Sequence, residues 1–208
     1  RFHPRTERIL QLIHEGAIGR LSFVEASFTF RLTKEDNIRF SAELGGGALM
    51  DVGCYCVNII RTAAGEEPTR VAAFSRQTKT GVDGRLSGLV TFPSGVHAHF
   101  DCSLLDERRE RYIVAGEDGY IEAEHAFLPG ESDCEIRTVR GRGTESRETV
   151  TGANEYRLMV EHFADCTVHG TDPRYGVEDA FYNMRTIEAL KQSAEAGGIP
   201  VEITGDGW

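Results

Sequence analysis

Apolar and polar residues alternate through most of the stretch from Val71 to Val150, which is typical of β-strands with one buried face. Two turn signals interrupt the alternation, Glu117-Asp118-Gly119 and Gly141-Arg142-Gly143, and each lies between two strand-like segments. Strands that are joined by tight hairpins pair in the antiparallel sense. The pattern therefore predicts one large, open and mostly antiparallel sheet.

Helical periodicity surrounds this region on both sides. Pro4–Gly16 and the residues after Gly47 have the spacing of amphipathic helices, and a strand over Val24–Phe30 separates them. Two further helices are predicted over Glu155–Val168 and Val177–Ala196. No break in composition divides the 208 residues. We therefore expect one α+β domain over residues 1–208, with helices packed on one face of the sheet.

The net charge bears on the binding partners of the chain, and the spacing of its cysteines bears on its cellular compartment. The formal net charge is −10, which disfavours nucleic acid and anionic membranes as partners. No apolar run approaches the length of a membrane span. The five cysteines include no Cys-x-x-Cys pair, so reduced thiols and a cytoplasmic location are predicted.

The segment Gly45–Asn58 carries an unusual set of polar groups. Three glycines precede a predicted helix in which Asp51, Tyr55 and Asn58 fall on one face. A carboxylate, a phenol and an amide on an otherwise apolar helix need partners or a ligand. The residues alone leave two interpretations open, an active or binding site and a hydrogen-bonded core cluster.

Metal and nucleotide sites are weakly supported by the sequence. His97 and His99 share a strand face, but two ligands are too few for a metal ion. His162 and Cys166 lie on the helix face that Met159 and Phe163 mark as buried, which favours core packing, so no metal is expected. No Gly-x-Gly-x-x-Gly opens a βαβ unit, and no phosphate-binding loop is present.

Several ordered segments resemble the glucose–fructose oxidoreductase, inositol dehydrogenase and rhizopine-catabolism (Gfo/Idh/MocA) family. The resemblance implies a preceding Rossmann domain that binds NAD or NADP, with this chain as the C-terminal α+β domain. The family's Glu-Lys-Pro motif, whose lysine assists catalysis, has no match here. The segments that carry the resemblance are Arg1–Pro4, Leu12–Gly19, Gly45–Asn58, Gly65–Pro68, Asn154–Phe163 and Asn183–Ala189.

The resemblance also implies roles for individual residues. It implies that Asp51 and Tyr55 are catalytic. Tyrosine at 55, where histidine is commoner, resembles the branch with glucose–fructose oxidoreductase, sugar dehydrogenases and dihydrodiol dehydrogenase. Substrate contacts are implied for Asn58, His3 and Arg1.

A second group of residues is expected to lie near the cofactor. The resemblance implies this position for Arg39, and glycines such as Gly46 and Gly47 allow a ligand to approach a helix N-terminus closely. The alternatives are a solvated loop charge for Arg39 and a plain tight turn for the glycines.

We therefore expect the C-terminal domain of an NAD(P)-dependent oxidoreductase that acts on a sugar or polyol-like substrate and is inactive alone. One alternative is an assembly module that forms a homo-dimer or tetramer through the open sheet, whose free face, with His97, His99 and Asp101, is mixed in polarity. A second alternative is a non-catalytic sugar-binding domain.

Overall fold

The structure is a computed structural model that describes residues 1–204. Helix α1 (Pro4–His14) and strand β1 (Leu21–Arg31) come first, and a short 3₁₀ turn, Ile38–Phe40, follows. A π-helical turn, Leu49–Gly53, then leads into helix α2 (Cys54–Ala64). Strands β2 to β8 are Arg70–Gln77, Asp83–Thr91, His97–Ser103, Leu105–Gly116, Gly119–Glu124, Cys134–Arg140 and Thr144–Val150. Helices α3 (Glu155–His169) and α4 (Val177–Glu195) and strand β9 (Val201–Glu202) complete the order.

The nine strands form one open sheet in the order β8-β7-β6-β5-β1-β4-β3-β2-β9. Every neighbouring pair is antiparallel except β1 and β4, which run parallel. The predicted large, mostly antiparallel sheet is confirmed, including the hairpins β5–β6 and β7–β8. The parallel pair was not foreseen, because β1 and β4 are joined by a long crossover that contains α2 and the hairpin β2–β3.

One face of the sheet is buried under helices. Strands β1 and β4 place Val24, Ala26, Ala98 and Phe100 on it, each at most 2% exposed. Helix α2 packs against β1, α4 packs against β2, and α1 contacts β7. Burial of a side chain as large as that of Val24 or Phe100 stabilises the folded state by roughly 1.5–3 kcal/mol. The alternation in the sequence therefore identified the core face of the sheet correctly.

The opposite face of the sheet is polar and carries ion pairs. Arg109 on β5 donates to Asp101 on β4, and Arg111 donates to Glu25 on β1 at 2.8 Å. Leu89 on β3 lies among these charges and is 60% exposed. The structure confirms the predicted mixed polarity of this face.

Helix α3 differs from its prediction. Met159 and Phe163 were expected to mark a buried face, but they are 43% and 65% exposed. Of this group only Cys166 is buried, and its thiol lies 3.6 Å from His162 Nε2. The 3.6-residue period shows which residues share a helix face, but it does not show what covers that face. Here the sheet does not cover it.

Residues 1–204 contain neither a metal-binding cluster nor a membrane-spanning helix. No group of three or more His, Cys, Asp or Glu side chains in this part of the chain is arranged to hold a metal ion. None of the helices in the same range combines the length and apolar character that crossing a bilayer requires. All five cysteines are free thiols.

Candidate active site

The glycines before the π-helical turn pack tightly against neighbouring segments. The amide of Gly46 donates to Ser41 O and that of Gly47 donates to Arg39 O, both at 2.9 Å. A Cβ on Gly46 would lie 2.4 Å from Arg39 O. Gly47 has φ +118°, and its Cβ would lie 2.0 Å from Asp83 Oδ1. Only glycine fits at these two positions.

Asp83 at the start of β3 caps the beginning of the π-helical turn. Its Oδ2 accepts the backbone N–H of Leu49 at 2.7 Å. Burial raises the pKa of the Asp83 carboxyl, and the N–H groups of Leu49 and Ala48 act in the opposite direction. The positive end of this helical segment therefore already has a negative partner from within the chain.

The turn and helix α2 place Asp51, Tyr55 and Asn58 along one cleft. The sequence predicted a plain helix there, but residues Leu49–Gly53 are π-helical, which adds a residue to the turn. All three side chains still line the same cleft, which has a volume of about 480 Å³. Its other walls come from the N-terminal segment, residues 126–129 and the first turn of α3.

Asp51 is held by Arg39. The Arg39 Nε donates to Asp51 Oδ2 at 2.7 Å, and the Asp51 side chain is 22% exposed. A charge-assisted hydrogen bond of this kind fixes the direction of the carboxylate. Arg39 therefore lies beside a predicted catalytic residue.

The hydroxyl of Tyr55 is free, although its ring is held. The ring makes edge contacts with Phe28 and Phe127, with centroids 5.6 and 6.0 Å apart. Within residues 1–204 the hydroxyl has no hydrogen-bond partner, and the side chain is 41% exposed. Burial, followed by neighbours that include Asp51, raises the pKa of Tyr55, while Arg39 lowers it. The phenol is therefore neutral at neutral pH.

Two amide side chains line the deeper part of the cleft. Asn58 Nδ2 is buried and has no hydrogen-bond partner among the described residues. Asn183 on α4 is held, because its Nδ2 donates to Cys54 O and its Oδ1 accepts from Arg61. Asn58 therefore has a donor available for a ligand, whereas Asn183 braces α2 against α4.

The family is decided by a comparison with protein-family models. The model of the GFO/IDH/MocA C-terminal domain matches residues 6–122, which is more than half of the chain. This chain belongs to the Gfo/Idh/MocA family. The family resemblance seen in the ordered sequence segments is thus confirmed.

Curated Gfo/Idh/MocA relatives are longer than this chain. The D-xylose 1-dehydrogenase (NADP(+)) 2 of Haloferax volcanii is 38% identical over 199 residues, which cover 95% of this chain and 61% of that protein. The trans-1,2-dihydrobenzene-1,2-diol dehydrogenase of Mus musculus is 33% identical over 132 residues, 63% of this chain and 39% of that protein. The chain thus spans about three fifths or less of these relatives.

Solved structures share the fold. The aldose-aldose oxidoreductase from Caulobacter crescentus, crystallised with glycerol, superposes with a TM-score of 0.87 at 26% identity. The match covers 95% of this chain and 60% of that one. The α+β arrangement predicted from the family resemblance is therefore found in an experimentally determined structure.

Two residues that the Gfo/Idh/MocA resemblance assigned to the substrate lie at the cleft but have structural partners. His3 is 2% exposed, and its Nδ1 accepts the Arg5 N–H at the start of α1, while its Nε2 has no hydrogen-bond partner within residues 1–204. Burial, and then the charge of Arg5, lowers the pKa of His3, so the imidazole is neutral. Arg1 pairs with Asp179 and lies over the Tyr175 ring at 4.5 Å. Their substrate contacts stay predictions, as do the cofactor contacts of Arg39, Gly46 and Gly47.

Sequence reasoning missed several residues of the cleft wall. Phe127, Tyr156, Met159 and Asn183 all line the cleft, yet none was named as a site residue. Asn183 and Tyr156 stood inside segments that resemble the family, which was the available signal. Phe127 had no signal beyond a short apolar run, because its position depends on how distant segments cross.

Proposed function

We propose that this chain is the substrate-binding and catalytic domain of an NAD(P)-dependent oxidoreductase that acts on a sugar or polyol-like alcohol or carbonyl. The observation that carries the proposal is the partner-free hydroxyl of Tyr55 beside Asp51 in an open cleft. The names of the relatives agree, since they include a D-xylose dehydrogenase that uses NADP(+) and an aldose-aldose oxidoreductase. We also assign the chain to the tyrosine-type branch of the family.

The residues of the cleft suit the proton side of such a reaction. Reduction of a carbonyl needs a proton donor, and a neutral Tyr55 phenol supplies one. Oxidation of an alcohol needs the reverse, and a cation near the phenol would favour its deprotonated form. Asp51, oriented by Arg39, accepts a hydrogen bond from a substrate hydroxyl, and the unpaired Asn58 Nδ2 donates to another substrate oxygen. The nicotinamide group, when bound, supplies hydride acceptance or donation.

The phosphates of the dinucleotide do not fit the glycine-rich segment before α2. Phosphate groups of NAD(P) bind at glycine-rich helix starts with free N–H groups. In this chain the amides of Gly46, Gly47 and Leu49 are all bonded internally, the last of them to Asp83. We therefore propose that a separate nucleotide domain holds the cofactor. The exposed apolar side chains of α3, including Val160 and Phe163, suit the surface on which that domain packs.

The activity is tested with the natural gene product that contains this chain. Aldoses, alditols and cyclitols are offered with NAD and NADP, and nicotinamide absorbance is followed. We expect turnover with at least one ring or polyol substrate. Absence of turnover with the whole panel, while a sugar still binds, would favour the non-catalytic sugar-binding alternative.

The division of labour between domains has its own test. Calorimetric titration of this chain alone with NAD and NADP should show no tight binding, since the amides of Gly46, Gly47 and Leu49 at the glycine-rich helix start are already bonded within the chain. Micromolar affinity would contradict the proposed separate nucleotide domain.

Assembly through the free face of the sheet is a second proposed role. The ion pairs of Arg109 with Asp101 and of Arg111 with Glu25 share the free face with exposed Leu89, which pairs with His99 across β3 and β4, and this mixture suits a homo-dimer or tetramer interface. Sedimentation of the gene product and of a Leu89→Asp variant tests it. We expect the variant to dissociate, and an unchanged oligomer or a monomeric parent would count against this interface. A cytoplasmic location stays a prediction.

A further inference from the structure

Residues 124–129, which we call the cleft strap, leave β6 and pass along the cleft. His125 adopts φ +47°, a left-handed conformation that residues other than glycine rarely adopt. The next residue, Ala126, is 5% exposed, and its amide donates to Glu110 O at 3.1 Å. The strap is therefore a strained segment that its surroundings hold in place.

A buried arginine holds the beginning of the strap. Arg5 on α1 is 1% exposed, and its two terminal nitrogens donate to Glu124 O and His125 O, each at 2.7 Å. No carboxylate within residues 1–204 pairs with it. The two terminal nitrogens of the buried guanidinium thus hold two backbone carbonyls of the strap, while its Nε has no hydrogen-bond partner within residues 1–204.

A buried glutamate holds the end of the strap. Glu110 on β5 is 6% exposed, and its Oε1 accepts the amide of Phe127 at 2.9 Å and the amide of Leu128. Its Oε2 accepts from Arg108 at 2.6 Å. The positive Arg5 thus binds two carbonyls of the six-residue strap, and the negative Glu110 binds two of its amides.

The hydrogen bonds of Arg5 and Glu110 to the strap fix the position of the Phe127 ring. It stacks on Phe28 with centroids 5.0 Å apart and planes 7° apart, and it meets the Tyr55 ring edge-on. Phe127 is half-buried and lines the cleft. A flat apolar wall therefore stands directly beside the phenol that faces the substrate.

We propose that Phe127 is a specificity-determining residue that selects ring-shaped substrates, such as pyranoses or cyclitols, over open-chain polyols. The inference rests on the proposed function. A pyranose or cyclitol presents a rigid face of C–H groups that can lie on an aromatic ring and lose water there. An open-chain polyol has no fixed flat face, and it loses rotational freedom on binding. Asp51 and Asn58 then take the hydroxyls at the edge of the ring.

The test compares two ligands as competitive inhibitors of the gene product, a methyl pentopyranoside and a pentitol. Phe127→Ala should raise the inhibition constant of the pyranoside about 10–100-fold, since one lost apolar contact in a pocket has this size. The pentitol constant should change less than about 3-fold. Leu128→Ala is the matched control, because Leu128 lies in the same strap but does not line the cleft.

The outcomes separate the inference from the proposed function. If the parent protein turns over sugars but Phe127→Ala affects both ligands equally, or neither, the inference is wrong and the proposed function stands. If the parent turns over no substrate, both are wrong. Phe127→Leu keeps apolar volume and should lose part of the pyranoside preference, so it carries the test if Phe127→Ala unfolds.

Discussion

Polar side chains in the cleft differ in whether the chain already satisfies them. Asp51 is paired with Arg39, and Asn183 is bonded to Cys54 and Arg61. The Tyr55 hydroxyl and Asn58 Nδ2 have no partner within the described residues. Satisfied groups hold the geometry, and unsatisfied ones are available to a ligand. Tyr55 and Asn58, together with the Asp51 oxygen that Arg39 does not bind, are therefore the expected points of substrate contact.

Tyr55 should ionise above the ordinary tyrosine pKa of 10 in this chain. Burial is the main reason, and the negative charge of Asp51 adds to it, while Arg39 opposes both. The tyrosinate absorbance of the chain, minus that of Tyr55→Phe, gives the titration of this residue alone. In Arg39→Gln the midpoint should move further up. A Tyr55 midpoint below pH 10 in the unsubstituted chain would contradict this electrostatic account.

The sequence was sufficient for the local part of the site and insufficient for the rest. Spacing of four and three placed Asp51, Tyr55 and Asn58 on one helix face, and all three line the cleft despite the π-helical turn. Phe127 follows Tyr55 by many residues, and only the crossing of the strap over the sheet brings their rings to 6.0 Å. Such a long-range contact leaves no period in the sequence.

At the scale of elements, the π-helical turn before α2 begins where the backbone of Gly47 lies very close to the Asp83 side chain. Gly45 and Gly47 both have positive φ, so alanine at either position carries a backbone penalty of roughly 1–2 kcal/mol. Only at Gly47 would the new Cβ meet another atom, at 2.0 Å from Asp83 Oδ1, whereas nothing lies within 4 Å at Gly45. The two glycines therefore differ in packing, and both have a positive φ, +69° at Gly45 and +118° at Gly47, so the backbone penalty at Gly47 is at least as large.

We expect Gly47→Ala to lower the free energy of unfolding by about 1–3 kcal/mol more than Gly45→Ala, because overpacking adds to the shared backbone penalty. Urea denaturation of both variants measures the difference. Equal losses would mean that the Asp83 cap moves aside at little cost.

The cleft strap makes a second prediction at this scale. Arg5→Lys replaces a fork that reaches two carbonyls with a single ammonium, so at least one buried carbonyl loses its partner. We expect a loss of about 1–3 kcal/mol in unfolding free energy. Arg8→Lys on the same helix is the control, since Arg8 pairs with Glu148 at the surface and should change stability by less than about 0.5 kcal/mol. A loss in Arg5→Lys no larger than the control would contradict the role of the buried guanidinium.

Elements were predicted best where the pattern reports one covered face. The alternation from β2 to β8 identified strands and hairpins because one side of the sheet is buried. Helix α3 was predicted correctly over Glu155–Val168, but the prediction that its apolar face is buried was wrong, since Phe163 is 65% exposed. Whether such a face is buried depends on which other elements pack against it, and the sequence pattern of one helix does not contain that information.

The whole molecule separates its two proposed roles onto opposite sides of the sheet. Phe28 and Tyr112 point toward the helices, and both contact the ring of Phe127 at the cleft. The ion pair of Arg111 with Glu25 lies on the free side. Association through the free side would therefore leave the cleft open, so an oligomeric enzyme needs no compromise between the two surfaces.

Buried acids should make the folded chain sensitive to alkali. Burial raises the pKa of Cys54 to about 11 and the pKa of Tyr112 to about 12, above their ordinary values of 9.0 and 10.0. The unfolded chain then releases these protons at lower pH than the folded chain. The contribution of these groups to the free energy of unfolding is therefore fully present below about pH 9, and it decreases as the pH rises toward 12.

Urea midpoints between pH 8 and pH 12 measure this decrease. The variant Tyr112→Phe should lose about 2–3 kcal/mol less than the parent by pH 12, because one pKa unit corresponds to about 1.4 kcal/mol. Parallel curves for the two proteins would contradict the assignment of the alkaline loss to Tyr112.

The central claim, that Tyr55 handles the proton in the reaction, is tested most directly by turnover of Tyr55→Phe in the gene product. Tyr156→Phe is the matched control, since Tyr156 lines the same cleft. We predict that Tyr55→Phe binds cofactor normally and loses turnover by roughly 10²–10⁴-fold, while Tyr156→Phe loses far less. Turnover of Tyr55→Phe close to that of the parent protein would contradict the claim.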